Sequence, residues 1–217
     1  MAKARVVVLI SGRGSNLSAI LEAAAAPDYP AAVVAVIANK ADAPGLQLAA
    51  AAGVATEIVP SQGVTDRTVY DQSLRDAIDR YAPDLIVLAG FMRILTADFV
   101  NHYAGRMINI HPSLLPSFTG LHTHQRALDA GVHLHGCTVH FVTAELDHGP
   151  MIAQAAIPVL PDDTVASLAA RVLAEEHRVY PAVVRWFAEG RLKVVGQRVL
   201  LDGALANDVG LIAPHVG

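Results

Sequence analysis

Short apolar runs recur along the first half of the chain: Arg5 to Ile10, Ala32 to Ala38, Ala55 to Val59, Leu85 to Ala89 and Met107 to Ile110. Continuous apolarity over so few residues marks strands covered on both faces. Helical spacing fills the gaps. Leu17, Ile20 and Leu21 open one apolar face; Pro44 to Ala52 forms a second helix that Gly53 stops; a third runs from about Thr65 to Tyr81, with Val69, Leu74, Ala77 and Ile78 on its inner side and Pro83 past its end. Strands alternating with helices at this spacing predict right-handed βαβ units and a parallel sheet with helices on both faces.

Beyond Pro116 the rhythm changes. A helix carrying Ala127, Leu128 and Ala130 inward ends at Gly131; His133 to Val142 then alternates as a strand, Ala144 to Pro150 is a turn, and Met151 to Val159 returns. That hairpin makes the sheet mixed. Thr164 to Ala188 reads as one long helix with Ser167/Leu168, Val172/Leu173 and Val179/Val183 in its apolar stripe, and Leu192 to Leu201 as a small hairpin turned at Gly196-Gln197. The expected fold is α/β: a Rossmann-like three-layer arrangement with a mixed, mainly parallel sheet flanked by helices, in a single domain over 1–217.

Composition narrows the function. The chain has 217 residues, 53% hydrophobic and 17% charged, which suits a buried parallel sheet. No apolar run reaches the roughly 18 residues of a membrane span. Lys3 and Arg5 precede only Val6 to Ile10 before Ser11-Gly12, too short a run for a signal peptide. The expectation is a cytoplasmic protein without a membrane partner, and the lone Cys137 fits a reducing compartment. A net charge of −4 argues against nucleic acid. Arg13, Arg67 and Arg93, close to motif positions, suit small anionic ligands instead.

Three constellations carry chemistry. Ser11-Gly12-Arg13-Gly14-Ser15-Asn16 joins a strand to a helix start, where glycines let backbone N–H groups approach a phosphate and the helix terminus adds positive potential. It is neither a dinucleotide fingerprint nor a triphosphate loop; the alternative is an ordinary turn with Ser15 or Asn16 as N-cap. Asn109 and His111, two residues apart at a strand's carboxyl end, would face one cleft, the first as a neutral donor and the second as a titratable acid or base. A turn cap and a surface histidine are the alternative. Asp147 stands in a turn that could return to that cleft, or is simply a turn residue near Gly149. Asn, His and Asp without a Ser or Cys nucleophile suggest direct transfer to a substrate nucleophile, with an oxyanion stabilised by Asn and His. Among the ten histidines, His122/His124, His133/His135 and His140 include same-face pairs but no accompanying ligand cluster, so no metal is expected.

As a set, Ser11 to Asn16, Ala89-Gly-Phe-Met-Arg-Ile-Leu95, Asn109-Ile-His-Pro-Ser-Leu-Leu-Pro116, Gly120-Leu-His-Thr-His124, His140-Phe-Val and Glu145-Leu-Asp147 resemble the phosphoribosylglycinamide formyltransferases, the folate-dependent glycinamide ribonucleotide transformylases of purine synthesis. The likeness runs in order from Val6 to about Leu201. It implies that 10-formyltetrahydrofolate, as co-substrate and without a metal, gives its formyl group to the amine of glycinamide ribonucleotide. It implies a phosphate-binding half over about 1–105 and a catalytic, folate-binding half over about 106–217. Asn109, His111 and Asp147 match the catalytic positions; Gly14, Ser15, Asn16 and Glu176 match the ribonucleotide site. Arg67, Met92, Arg93, Ile94, Leu95, Asn109, Thr143, Ala144, Glu145, Leu146 and Asp147 match the folate pocket, and Leu115-Pro116 is expected cis.

The chain departs from the family pattern at Phe118-Thr119, where an aromatic-Pro pair is expected, and at Ala144, His148 and Leu173, where an acidic residue, a glycine and a polar residue are expected. A formyltetrahydrofolate hydrolase on the same fold is the alternative; the phosphate loop speaks against it, as does the lack of room for a regulatory domain. Methionyl-tRNA formylation would call for a basic C-terminal domain, and a non-enzymatic nucleotide-binding module would leave Asn109, His111 and Asp147 unexplained. The oligomeric state stays open, with a homodimer as one option.

Overall fold

The computed structural model describes residues 2–204, together with 211 and 213. The elements, in chain order, are β1 (Ala4–Ile10), α1 (Ser15–Ala24), β2 (Ala31–Ala38), α2 (Gly45–Ala51), β3 (Ala55–Ile58), α3 (Arg67–Asp79), β4 (Leu85–Leu88), α4 (Ala97–His102), β5 (Met107–His111), α5 (Thr123–Asp129), β6 (Leu134–Phe141), β7 (Met151–Pro158), α6 (Val165–Ala188), β8 (Leu192–Val195) and β9 (Arg198–Leu201). They build one sheet in the order β3-β2-β1-β4-β5-β6-β7-β9-β8. Strands β1 to β5 run parallel; β6 is antiparallel to both β5 and β7, so the sheet is mixed and mainly parallel at its centre.

The strand pleat divides the core. In β1, Val6, Val8 and Ile10 point to one face and pack in a cluster with Leu17 and Ile20 of α1 and Val172, Tyr180 and Val183 of α6. Val7 and Leu9 point to the other, into a cluster with Leu74 and Ile78 of α3 and Phe99 of α4. All five β1 side chains are at most 1% exposed, and burial of each contributes roughly 1.5–3 kcal/mol. This strand, apolar and buried from Val6 to Ile10, is the middle of a three-layer molecule.

Three features differ from expectation. Val69 is 58% exposed. Helix α3 starts at Arg67, capped by Asp66 on Thr68 N–H at 2.8 Å, and its buried stripe is Tyr70, Asp71, Leu74, Ala77 and Ile78; in that phase Val69 faces solvent. Ser167 is likewise exposed, because it closes a reciprocal capping box with Thr164 rather than packing. The stripe of α6 instead steps by four through Leu168, Val172, Glu176 and Tyr180, so a carboxylic acid occupies a core position. The six-residue α4, started by Thr96 accepting from Phe99 N–H, was not anticipated; it is too short to show a helical period.

Gly136 in β6 is a packing constraint. A Cβ there would lie 1.8 Å from the Ala155 carbonyl oxygen of β7. Gly136→Ala should force the hairpin apart and lower stability by roughly 2–3 kcal/mol; a urea-unfolding midpoint equal to that of the wild type would show that β6 and β7 are not packed as described.

Candidate active site

From β1 the chain crosses to β2 on one side and later to β4 on the other, so the carboxyl ends of β1 and β4 flank the switch point where open α/β sheets leave a crevice. Two depressions lie there. One is bounded by residues 11–16, Lys40, Ala89, Gly90 and Met92. The second, with about 550 Å³ of empty space, lies between the loop after β4, the strands β5 and β6, and the turn leading to Asp147.

The first depression is shaped by glycine. Gly14 is the N-cap of α1 at φ 76°, and no side chain caps the helix. The amides of its first turn are therefore left for another acceptor. Neither Ser15 nor Asn16 takes the capping role. A Cβ on Gly14 would come within 2.9 Å of Gly45 Cα, so the glycine is required by its left-handed backbone and by a backbone–backbone approach. Asn16 Nδ2 donates to Glu176 Oε2 at 2.7 Å, while Asn16 Oδ1 is buried without a partner. Burial pushes the Glu176 carboxyl above its usual range, and the Asn16 donor partly offsets that. Arg13 and Lys40, both exposed, add positive charge to the rim.

At the edge of the second depression, whose lining includes Asn109 and Asp147 but not His111, three chain segments meet. His111 ends β5, and its Nε2 lies 2.9 Å from the Phe118 carbonyl oxygen while its Nδ1 lies 3.7 Å from Asp147 Oδ2. The first contact is a hydrogen bond and the second is Coulombic. Oxygen atoms thus lie toward both ring nitrogens of His111. Asp147 sits at φ 58° and accepts from Gly120 N–H at 2.9 Å. A left-handed, buried aspartate is a strained position that the surroundings must hold.

Asn109 is oriented by a residue outside the expected set. His140, its cross-strand partner on β6, is 2% exposed. Its Nδ1 lies 2.9 Å from the Phe141 carbonyl oxygen, to which it donates, and burial lowers its pKa. The ring is then neutral with Nε2 as acceptor, so the Asn109 atom 3.3 Å away is the donating Nδ2. The second Nδ2 proton remains for the cleft, which Asn109 lines. His140 Nε2 is also 4.0 Å from Asp147 Oδ1, so the carboxylate stands between two imidazoles.

The segment after His111 is pinned from below. Thr138 Oγ1 donates to Ser113 O at 2.7 Å and accepts from Leu115 N–H, and Gln154 Nε2 donates to Leu115 O at 2.9 Å. The Leu115-Pro116 bond is cis. Phe118, one of the unexpected residues, presents its backbone carbonyl to His111 from φ 55°.

Arg93, Ile94, Leu95, Asn109, Thr143, Ala144, Glu145, Leu146 and Asp147 all border the second depression. Met92 borders the first instead, and Arg67 opens α3 as an exposed residue outside both linings. Leu88, Phe91, Val100, His140 and Val142 complete the cleft wall without having been singled out for it. His148 lies 2.6 Å from Leu146 O through Nδ1 and 3.7 Å from Glu145 through Nε2, outside the cleft lining. Leu173 is half-buried on α6. Among the described residues no group of three or more His, Cys, Asp or Glu could hold a metal ion, and no helix is long and apolar enough to cross a membrane.

A mixed sheet with an uncapped glycine loop beside an Asn–His–Asp cluster fits a group-transfer enzyme. The family model described as formyl transferase matches residues 4–184, and the chain belongs to that family. It is 54% identical over 198 residues to the phosphoribosylglycinamide formyltransferase of Escherichia coli (strain K12), covering 91% of this chain and 93% of that protein. The crystal structure of glycinamide ribonucleotide transformylase 1 from Symbiobacterium toebii superposes with a TM-score of 0.89 at 48% identity, over 92% of this chain and 94% of that one. A formyltetrahydrofolate deformylase from Pseudomonas syringae pv. tomato superposes with a TM-score of 0.85 at 28% identity, over 92% of this chain but 66% of that one.

Burial lowers the pKa of three histidines around the site: His124, His135, which falls to about 4, and His140. The unfolded chain protonates such groups near pH 6.5. The native chain does so only at lower pH, so stability falls as pH drops below about 6.5, by about 1.4 kcal/mol per pH unit for each proton held only by the unfolded state. For His135 this loss continues to about pH 4. His135→Gln should flatten the decline between pH 6.5 and 4 in denaturant titrations; an unchanged slope would mean that His135 is not held neutral.

Proposed function

We propose that this protein transfers the formyl group of 10-formyltetrahydrofolate to the amine of glycinamide ribonucleotide, giving the N-formyl ribonucleotide and tetrahydrofolate for purine biosynthesis. Asn109, His111 and Asp147 are the catalytic groups. Gly14, Ser15, Asn16 and Glu176 hold the ribonucleotide. Arg93, Ile94, Leu95, Asn109 and the residues from Thr143 to Asp147 receive the folate; Arg67 and Met92 belong to the same proposed contact set from the cleft's periphery. The two-half division near residue 105, the absence of a metal and a cytoplasmic setting are parts of this reading.

The observation that carries it is the pairing of His111 with Asp147 beside an Asn109 amide whose donor face is fixed by His140. The hydroxyls of Ser113 and Thr138 donate to Ser117 O and Ser113 O, so neither serves as a nucleophile. Transfer is then direct. The neutral substrate amine attacks the formyl carbon, and the carbonyl oxygen becomes an anion that Asn109 Nδ2 and the His111 imidazolium stabilise. As the carbon–nitrogen bond to folate breaks, that nitrogen gains a proton, from His111 directly or through water, while the attacking nitrogen loses one. Asp147, 3.7 Å from His111 Nδ1, holds the ring in place beside the reacting groups.

A hydrolase would use water as acceptor and has no need of the uncapped loop at Gly14. Incubating the enzyme with 10-formyltetrahydrofolate, with and without glycinamide ribonucleotide, separates the two. Ribonucleotide-dependent transfer is expected; formate release at equal rates in both arms would overturn the reading.

Asn109→Ala should lower kcat about a hundredfold with KM nearly unchanged, as for a lost oxyanion donor. Near-normal turnover with raised KM would make Asn109 a positioning residue instead. Because His111 and Asp147 act together, the His111→Ala, Asp147→Asn double variant should be little slower than His111→Ala alone; multiplying losses would contradict their assignment as one unit. Gly14→Val should weaken ribonucleotide binding far more than folate binding, and equal losses in titrations would remove the loop from the ribonucleotide site.

A further inference from the structure

The loop from Phe91 to Thr96, between β4 and α4, is a wall shared by the two depressions. Met92 borders the anion-loop side, and Arg93, Ile94 and Leu95 border the cleft. The segment is neither helix nor strand, so its backbone amides must find partners outside a ladder. Two of them find buried side chains. Thr96 N–H donates to Asp71 Oδ2 of α3 at 2.6 Å, and Met92 N–H donates to Ser11 Oγ at 2.8 Å. The Arg93 guanidinium stacks 4.7 Å above the Tyr70 ring, also on α3.

These anchors differ in kind. Asp71 and Tyr70 belong to a core helix outside both linings. Ser11 is 7% exposed and is the first residue of the anion loop itself. One end of the wall therefore hangs from the loop proposed to hold the phosphate, and the other from the core helix α3.

We propose that Ser11 is a positioning residue that couples the two substrate sites. Ordering of the 12–16 loop by the ribonucleotide phosphate fixes the Ser11 hydroxyl, and through Met92 N–H this holds Arg93 to Leu95 against the folate. The inference rests on the functional reading above and adds how its two sites communicate. Each ligand restrains the same wall, so the second to bind loses less conformational freedom. By linkage the effect is reciprocal.

The test titrates the full chain with tetrahydrofolate, with and without saturating glycinamide ribonucleotide. In the wild type the ribonucleotide should tighten tetrahydrofolate binding about fivefold or more. In Ser11→Ala the coupling ratio should fall close to one. Ser11→Thr, which keeps the hydroxyl, should keep the ratio. In the wild type, ribonucleotide alone should slow hydrogen exchange at the Met92 amide. A wild-type ratio of one, an unchanged ratio in Ser11→Ala, or equal loss of both single-ligand affinities would overturn the proposal. If Ser11→Ala fails to fold, Met92 exchange in the wild type decides, and no slowing overturns it. Failure of the ribonucleotide to bind, or formyl release independent of it, would instead sink the functional reading and is seen in the wild type alone.

Discussion

The Asp147 carboxylate is where the molecule's polar interior is tied together. It accepts from Gly120 N–H, faces His111 of β5 through one oxygen and approaches His140 of β6 with the other. At 7% exposure, an ionised carboxylate is costly unless neighbours compensate it. Its neighbours here are one backbone donor and the His111 ring, with the neutral His140 ring alongside. Moving any of them would leave a buried charge underserved, so the turn to Asp147, the loop to Gly120 and the ends of two strands are held to one arrangement. The left-handed backbone at Asp147 and at Phe118 is tolerated for the same reason.

That arrangement depends on where the sheet changes direction. Parallel β4 and β5 deliver Ala89 and His111 at their carboxyl ends. Antiparallel β6 arrives from the opposite end and places His140 beside Asn109 and Thr138 beside His111. Thr138 then binds the chain that leaves His111, while His140 orients the Asn109 amide. Both supports therefore come from one antiparallel strand, although the connection from β5 to β6 is long and carries α5.

Legibility in the sequence followed how local each feature is. The strand β1 could be read because five successive apolar residues have no other plausible use, and Asn109 and His111 because period two puts them on one side. Glu176 was reached through family resemblance; its burial at a core position of α6 conflicts with any purely amphipathic reading of that helix. Leu74, Ala77 and Ile78 lie on the inward face of α3 as expected; Val69 does not, and Tyr70 and Asp71, whose polar atoms disguise buried positions, do. The role of His140 could not be read, since it depends on the cross-strand register that pairs it with Asn109 of β5. Ser11 reads as part of a loop, but its partner lies 81 residues away. Local patterns thus located the elements and the loops, whereas the supporting contacts came from pairings between distant segments.

Burial has opposite consequences at the two ends of the site. It keeps His140 and His135 neutral, which suits rings that serve as fixed acceptors or packing partners. At Glu176 it favours the protonated acid, but the Asn16 amide donates to Oε2 and opposes that shift. The carboxyl can therefore respond to what occupies the anion loop. A ligand amine or hydroxyl donating to Glu176 would favour carboxylate, whereas a phosphate alone would add negative charge nearby and favour the acid. Reading a cationic or hydroxylated ligand segment next to a phosphate is a task for which a buried, singly satisfied carboxyl is better suited than a solvated one, because solvent would screen the difference between the two cases.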